Sequence, residues 1–259
     1  MKGKFFVVLL GLVICLCVLS VLARGEEQKS QLYYVLDVAV KPSKISAYEE
    51  VMKEYVALLA QHESPFPRYA YVWDDFHYHF ITPLQDYRDY DRFPISNSEI
   101  QKKIGAEKMV EIAKRFVSAY DSTSRGFIRY RPDLTYFQEN PRFKSEEANF
   151  MFWRFCHVLP GKESEFENIC REWVELDKEV NRSDAYSTFV VEIGTEMPLY
   201  FWTVRGISAA DFQKQQEIYG TKAGEKAGEL WNRTLALIQK LKDKTGMYRP
   251  DLSYIPKEK

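Results

Sequence analysis

The sequence predicts an α+β protein built from two β-α-β-β-α-β units in tandem, and three observations predict it. The heptapeptide Tyr130-Arg131-Pro132-Asp133-Leu134-Thr135-Tyr136 returns as Tyr248-Arg249-Pro250-Asp251-Leu252-Ser253-Tyr254, a spacing of 118 residues (130 to 248). The same spacing carries Pro42 onto Pro160, Lys44 onto Lys162, Tyr48 onto Phe166, Glu49 onto Glu167, Val51 onto Ile169, Tyr55 onto Trp173 and Leu58 onto Leu176. A spacing that holds at both ends of a unit marks internal duplication. Within each copy, finally, the hydrophobic period switches between two and 3.6 in the same order.

Each unit opens on a strand. Leu32–Val40 and Phe150–Leu159 are apolar, β-branched and aromatic runs that stop at Pro42 and Pro160. A helix follows in each: Tyr48, Val51, Met52, Tyr55 and Leu59 in the first, and Phe166, Ile169, Cys170, Trp173, Leu176 and Val180 in the second. Their three-and-four spacing makes one buried face. Two strands come next, Arg68–Asp74 with His77–Thr82, and Ala185–Ile193 with Pro198–Val204, around turns at Asp74-Asp75 and Gly194-Thr195-Glu196. A second helical region has capping-box spacing at Ser96/Glu99 and Ser208/Asp211. A short strand then leads into the repeated heptapeptide. The units are placed at residues 29–140 and 149–259, joined by a polar, proline-broken linker at 141–148.

Residues 1–28 are different material. Lys2 and Lys4 precede an uncharged apolar run from Phe5 to Ala23, ending Val21-Leu22-Ala23, which reads as an export signal. The run approaches the ~18 residues needed to span a bilayer, so an uncleaved anchor is the alternative, and the only route to a membrane. Cys15 and Cys17 follow Ile14 and Leu16 rather than the small residue a lipobox wants. The expected location is therefore outside the cytoplasm, periplasmic or secreted. With 36 basic and 37 acidic residues, the net charge of −1 gives no basic excess for nucleic acid. Aromatic residues make up 15% of the chain, enough for thick cores and a flat-walled apolar pocket.

Catalytic candidates come from polar residues inside apolar strands, where a buried charge needs a partner. His77 and His79 lie two apart, which on a strand puts both on one face. Such a pair could hold a metal or work as acid and base, but no third ligand follows in sequence, so no metal is predicted. Asp37 shares its strand face with Ala39, whose counterpart at the repeat spacing is His157. A cross-sheet Asp37–His157 pair is therefore expected in preference to Asp37–Arg154. Cys156 and Cys170 replace Val38 and Met52 on a strand and the helix over it, leaving a disulfide or two buried thiols as alternatives. The duplicated heptapeptide reads as structural: proline fixes the backbone, Arg and Asp pair locally, and Leu and Tyr tuck in. No phosphate-binding loop, dinucleotide fingerprint, nucleophile elbow or HExxH motif is present.

The β-α-β-β-α-β order is the ferredoxin-like unit. Such a sheet carries helices on one face and must cover the other. Two copies in one chain do so by packing sheet on sheet, a monomer that is an intramolecular pseudo-dimer. In element order and aromatic strand–helix pattern the chain resembles the dimeric α+β barrel superfamily, including antibiotic-biosynthesis-type monooxygenases, muconolactone-isomerase-like proteins and haem-handling members. The resemblance implies a pocket for a small aromatic or apolar ligand, walled by Tyr71, Trp73, Tyr78, Trp153, Arg154, Tyr186, Tyr200 and Trp202. It also implies, as alternatives, a cofactor-independent oxygenase or isomerase, or a haem-binding protein. Against these stands a different class, a non-catalytic exported module that uses the barrel for protein contacts.

Overall fold

Strand alternation gives the molecule an inside and two outer faces. In the computed structural model, which describes residues 29–194 and 196–257, Leu32, Tyr34, Val38 and Val40 of β1 (Gln31–Val40) pack outward against helices. The intervening Tyr33 and Val35 pack inward with Trp153 and Phe201. The export segment read in residues 1–28 lies outside the described residues.

The other strands are β2 (Tyr69–Trp73), β3 (His77–Leu84), β4 (Tyr120–Tyr130), β5 (Phe150–Val158), β6 (Tyr186–Ile193), β7 (Leu199–Gly206) and β8 (Ile238–Tyr248). All pairings are antiparallel, and the eight strands close into one barrel, β1-β3-β2-β8-β5-β7-β6-β4. Each half of the ring has the same internal order, β4-β1-β3-β2 and β8-β5-β7-β6. The halves meet at two seams, β2–β8 and β4–β6. Closure leaves no free edge.

Both seams bring backbones very close. A Cβ on Gly246 of β8 would stand 2.0 Å from the Val72 carbonyl oxygen, and one on Gly126 of β4 would stand 2.7 Å from that of Ile193. Only glycine permits that approach.

Five α-helices cover the barrel among the described residues: α1 (Ile45–Gln61), α2 (Tyr87–Ile104), α3 (Ala106–Ala119), α4 (Glu163–Glu179) and α5 (Ala209–Leu235). The second helical region of the first half begins earlier than its Ser96/Glu99 spacing predicts. Asp86 is the N-cap, its side chain accepting from the Arg88 amide at 2.8 Å, and Ser96 lies mid-helix. In the second half Ser208 does cap α5, accepting from the Asp211 amide at 3.1 Å. β4 and β8 are eleven residues each rather than short. No helix among the described residues is long and apolar enough to cross a membrane.

The repeated heptapeptides form one 3-10 turn each, Pro132–Leu134 and Pro250–Leu252. Arg131 and Arg249 do pair with Asp133 and Asp251, both at 2.8 Å, and Leu134 and Leu252 are fully buried. What local spacing does not reveal is that each turn docks on the opposite half. Arg131 donates to Glu167 of α4 at 2.9 Å, and Arg249 to Glu49 of α1 at 2.8 Å. Tyr200 and Tyr78 complete the two clusters, donating to the same glutamates at 2.8 and 2.7 Å.

Candidate functional site

Alternation along the strands divides the predicted pocket walls among three places. Tyr71, Trp73 and Trp153 point into the barrel. Tyr78 and Tyr200 point outward into the glutamate clusters just described. Tyr186, Trp202 and Arg154 point outward too, and line a cavity of about 410 Å³ between the sheet and the helices of the second half. One common wall is therefore excluded by the period of two.

The second-half cavity has aromatic sides, including Phe152, Trp173, Trp202, Tyr219 and Trp231. At its mouth Arg154 donates to Asp243 at 2.8 Å and lies 5.1 Å over the Trp231 ring. The partner of Arg154 is thus Asp243, not Asp37. Deeper lies Asp177 of α4, fully buried, with neither carboxylate oxygen hydrogen-bonded. Arg182 approaches it at 3.6 Å, its guanidinium held 5.2 Å over Tyr186 and 4.7 Å over Tyr219. Arg182 Nε and the Tyr219 hydroxyl also lack partners. Burial pushes the Asp177 carboxyl above the usual aspartate value, and it outweighs the opposing pull of Arg182, Tyr219 and Tyr186.

Asp177, Arg182 and Tyr219 are absent from the sequence-derived candidates. The signal is present: Phe166, Cys170 and Trp173 continue to 177 at the same helical spacing, so an acid interrupts a buried stripe.

The corresponding cavity of the first half, about 370 Å³, differs in chemistry. Arg68 and Arg125 line it together with Tyr34, Tyr90 and Phe93, and none of its lining residues is a carboxylate. Arg68 stacks 5.4 Å over Tyr55.

A third space of about 210 Å³ opens inside the barrel, where Trp73 and Trp153 meet Asp37 and His79. Register sets Asp37 directly opposite His79. Asp37 Oδ1 lies 2.9 Å from His77 Nδ1 and 3.6 Å from His79 Nε2. His79 packs with its ring centroid 3.7 Å from that of Trp73, and burial holds its pKa down at about 4. The expected Asp37–His157 pair is not formed. His157 instead sits 3.2 Å from the Glu196 carbonyl and 3.5 Å from its carboxylate. The reason is topological: β3 runs beside β1, whereas β5 lies across the barrel.

Cys156 and Cys170 are free, buried thiols of one cluster, so the disulfide alternative is not realised. Burial pushes the Cys156 thiol up to about 12 and raises Cys170 as well.

Haem needs an axial imidazole, thiolate, thioether or phenolate. None of the four histidines lines the second-half cavity. Cys170 reaches it only as a thiol held protonated by burial, beside the buried Asp177 carboxyl. Tyr186 and Tyr219 line the cavity too, but burial pushes both phenols well above their ordinary value, so neither offers a phenolate. The cavity supplies no ready axial ligand, and no step is assigned to haem.

No family model matches the chain, and no curated protein matches it in sequence. Solved structures do match in shape. An anthrone oxidase-like protein superposes with a TM-score of 0.58 at 11% identity, over 86% of this chain and 92% of that one. A proposed monooxygenase from Lactobacillus acidophilus gives 0.53 at 7% identity, over 87% and 96%. A mutant chlorite dismutase from Candidatus Nitrospira defluvii gives 0.50 at 8% identity, over 86% and 94%. At such identities the likeness is one of fold: an antiparallel eight-stranded α+β barrel of the kind found in the dimeric α+β barrel proteins.

Proposed function

We propose that this is an exported, internally duplicated α+β barrel protein that binds a flat aromatic ligand carrying hydroxyl or amide groups in the second-half cavity. The observation that carries the reading is the buried trio Asp177, Arg182 and Tyr219 at the base of an aromatic-walled cavity. Arg182 stands 3.6 Å from Asp177, yet Asp177 Oδ1 and Oδ2, Arg182 Nε and Tyr219 Oη make no hydrogen bond of normal geometry. Leaving such groups unmade costs about 1–3 kcal/mol each, and a ligand with matching donors and acceptors recovers it. The cavity's volume, about 410 Å³, is in the range of ordinary small-molecule pockets. The differing first-half cavity supports one such site per chain, with the pseudo-dimer complete as a monomer.

The test uses 1,8-dihydroxyanthraquinone as probe and reads quenching of tryptophan fluorescence, since Trp173, Trp202 and Trp231 line the cavity. Saturable quenching that weakens at least about tenfold in Asp177→Asn supports the reading, by loss of a charge-assisted hydrogen bond. Binding unchanged in Asp177→Asn and Trp202→Ala rejects it.

A second, enzymatic reading rests on the raised Asp177 carboxyl, a proton acceptor at the base of an aromatic-walled cavity. With an anthrone-type substrate and dioxygen as the oxidant, a ring methylene would become a carbonyl with release of one water. The two C–H bonds supply the hydrogens, and the O–O bond breaks. Oxygen uptake stoichiometric with quinone formation, lost in Asp177→Asn, would distinguish catalysis from binding.

A further inference from the structure

The Asp37–His77–His79 cluster lies in the other half and on the opposite face of the barrel wall from the proposed ligand cavity. It contains a polar atom that the protein itself does not satisfy. His79 is 9% exposed, and its Nε2 makes no hydrogen bond. Its nearest acidic oxygen, Asp37 Oδ1 at 3.6 Å, is too far for one.

We propose that Asp37, His77 and His79 bind one divalent first-row transition-metal ion at the mouth of the barrel interior. His77 and His79 share a strand face, and Asp37 stands opposite His79 on β1, so three ligands of metal-binding type converge. One donor atom from each lies within 4.8 Å of the other two. Ligands at about 2.1 Å from a tetrahedral or octahedral ion are separated by about 3.0–3.4 Å. The Asp37–His77 and Asp37–His79 separations of 2.9 and 3.6 Å bracket that range. Small side-chain rotations close the set.

The surroundings support a metal rather than a bare ion pair. Ser124 Oγ lies 3.4 Å from Asp37 Oδ2, orienting the second carboxylate oxygen. Trp73 packs on the His79 ring and fixes its plane. The nearby Asp75 and Lys244 pair with each other, so the cluster keeps the charge of Asp37. Two imidazoles and a carboxylate suit zinc, iron(II), cobalt(II) or nickel(II) better than magnesium or calcium. Three protein ligands leave coordination positions open, and two of the three, Asp37 and His79, line the 210 Å³ interior space.

The sequence pair His77/His79 lacks a third ligand only along the chain; the barrel supplies it from 40 residues away.

The experiment strips the full protein with a chelator, then titrates it with Co²⁺, followed by visible d–d absorption, and with Zn²⁺ by calorimetry. The expected result is one ion per chain with Kd of micromolar order or tighter. His79→Gln and Asp37→Asn should each weaken it by about 100-fold, while His157→Gln binds as the parent does. If His79→Gln does not fold, by near-UV circular dichroism, the half-exposed His77→Gln carries the same expectation. No saturable binding below millimolar, or equal binding by the ligand variants, overturns the site. Neither result depends on anthraquinone binding, because Asp177 is untouched.

Discussion

Arg249 closes on Glu49 across 200 residues of chain, its Nη2 donating to Oε2 at 2.8 Å. Arg131 and Glu167 repeat the arrangement with the halves exchanged. A glutamate held by a guanidinium and a tyrosine hydroxyl is an anchor between halves.

Glu49→Gln should therefore lower stability by about 1–3 kcal/mol at neutral pH, the usual range for a hydrogen bond to a charged group. Arg249, through its hydrogen bond, holds the Glu49 carboxyl below the ordinary glutamate value. A depressed carboxyl contributes stability above its unfolded value, and loses it as pH falls through the native one. The variant and parent should thus converge in denaturant midpoint below about pH 4.3, the unfolded glutamate value.

Asp177 carries the opposite sign. Its native carboxyl is raised by burial, so the folded state holds the proton to higher pH than the unfolded chain does. Stability should fall as pH rises from about 3.9, the unfolded aspartate value, through the native one. Urea unfolding of Asp177→Asn across that range should lack this slope. The parent should regain stability when 1,8-dihydroxyanthraquinone is added.

Gly246→Ala tests the seam. Its Cβ would lie 2.0 Å from the Val72 carbonyl oxygen, a backbone atom that cannot turn aside. The expected loss is at least about 2–3 kcal/mol, by overpacking. Gly220→Ala, in α5 with nothing within 4 Å of the new methyl, should gain about 0.5–1 kcal/mol. Equal effects in thermal unfolding would deny the seam its special closeness.

Cys156 and Cys170 should resist iodoacetamide in the native protein. Both should react in urea without any reductant, read by mass spectrometry of the two peptides. Buried thiols, Cys156 pushed up to about 12, offer almost no thiolate at neutral pH. A Cys156–Cys170 linked peptide would contradict the free thiols.

Element order is legible because the period of two and the period of 3.6 report burial directly. Of the α1 face read from Tyr48, Val51, Met52, Tyr55 and Leu59, four residues are buried and Tyr55 is partly buried. The start of α2 is ambiguous in sequence: Asp86 with Asp89 has the same spacing as Ser208 with Asp211, but Ser96 with Glu99 carries the more usual capping-box residues and points ten residues too late. At the site, alternation correctly pairs His77 with His79. It cannot say which strand lies beside them, and so it points Asp37 to a partner across the barrel instead of next door. Asp177 falls on the apolar stripe of α4, which marks it as buried, but nothing local shows the cavity beside it.

The exchanged heptapeptides have a consequence for how the chain is made. Tyr254, two residues past the second Asp-Leu pair, packs with Leu59 and Ile100 and donates to the Ser64 carbonyl at 2.7 Å. β2 in turn waits for β8 as its outer neighbour. The first half to leave a ribosome therefore remains unsealed until residues 246–254 have been synthesised.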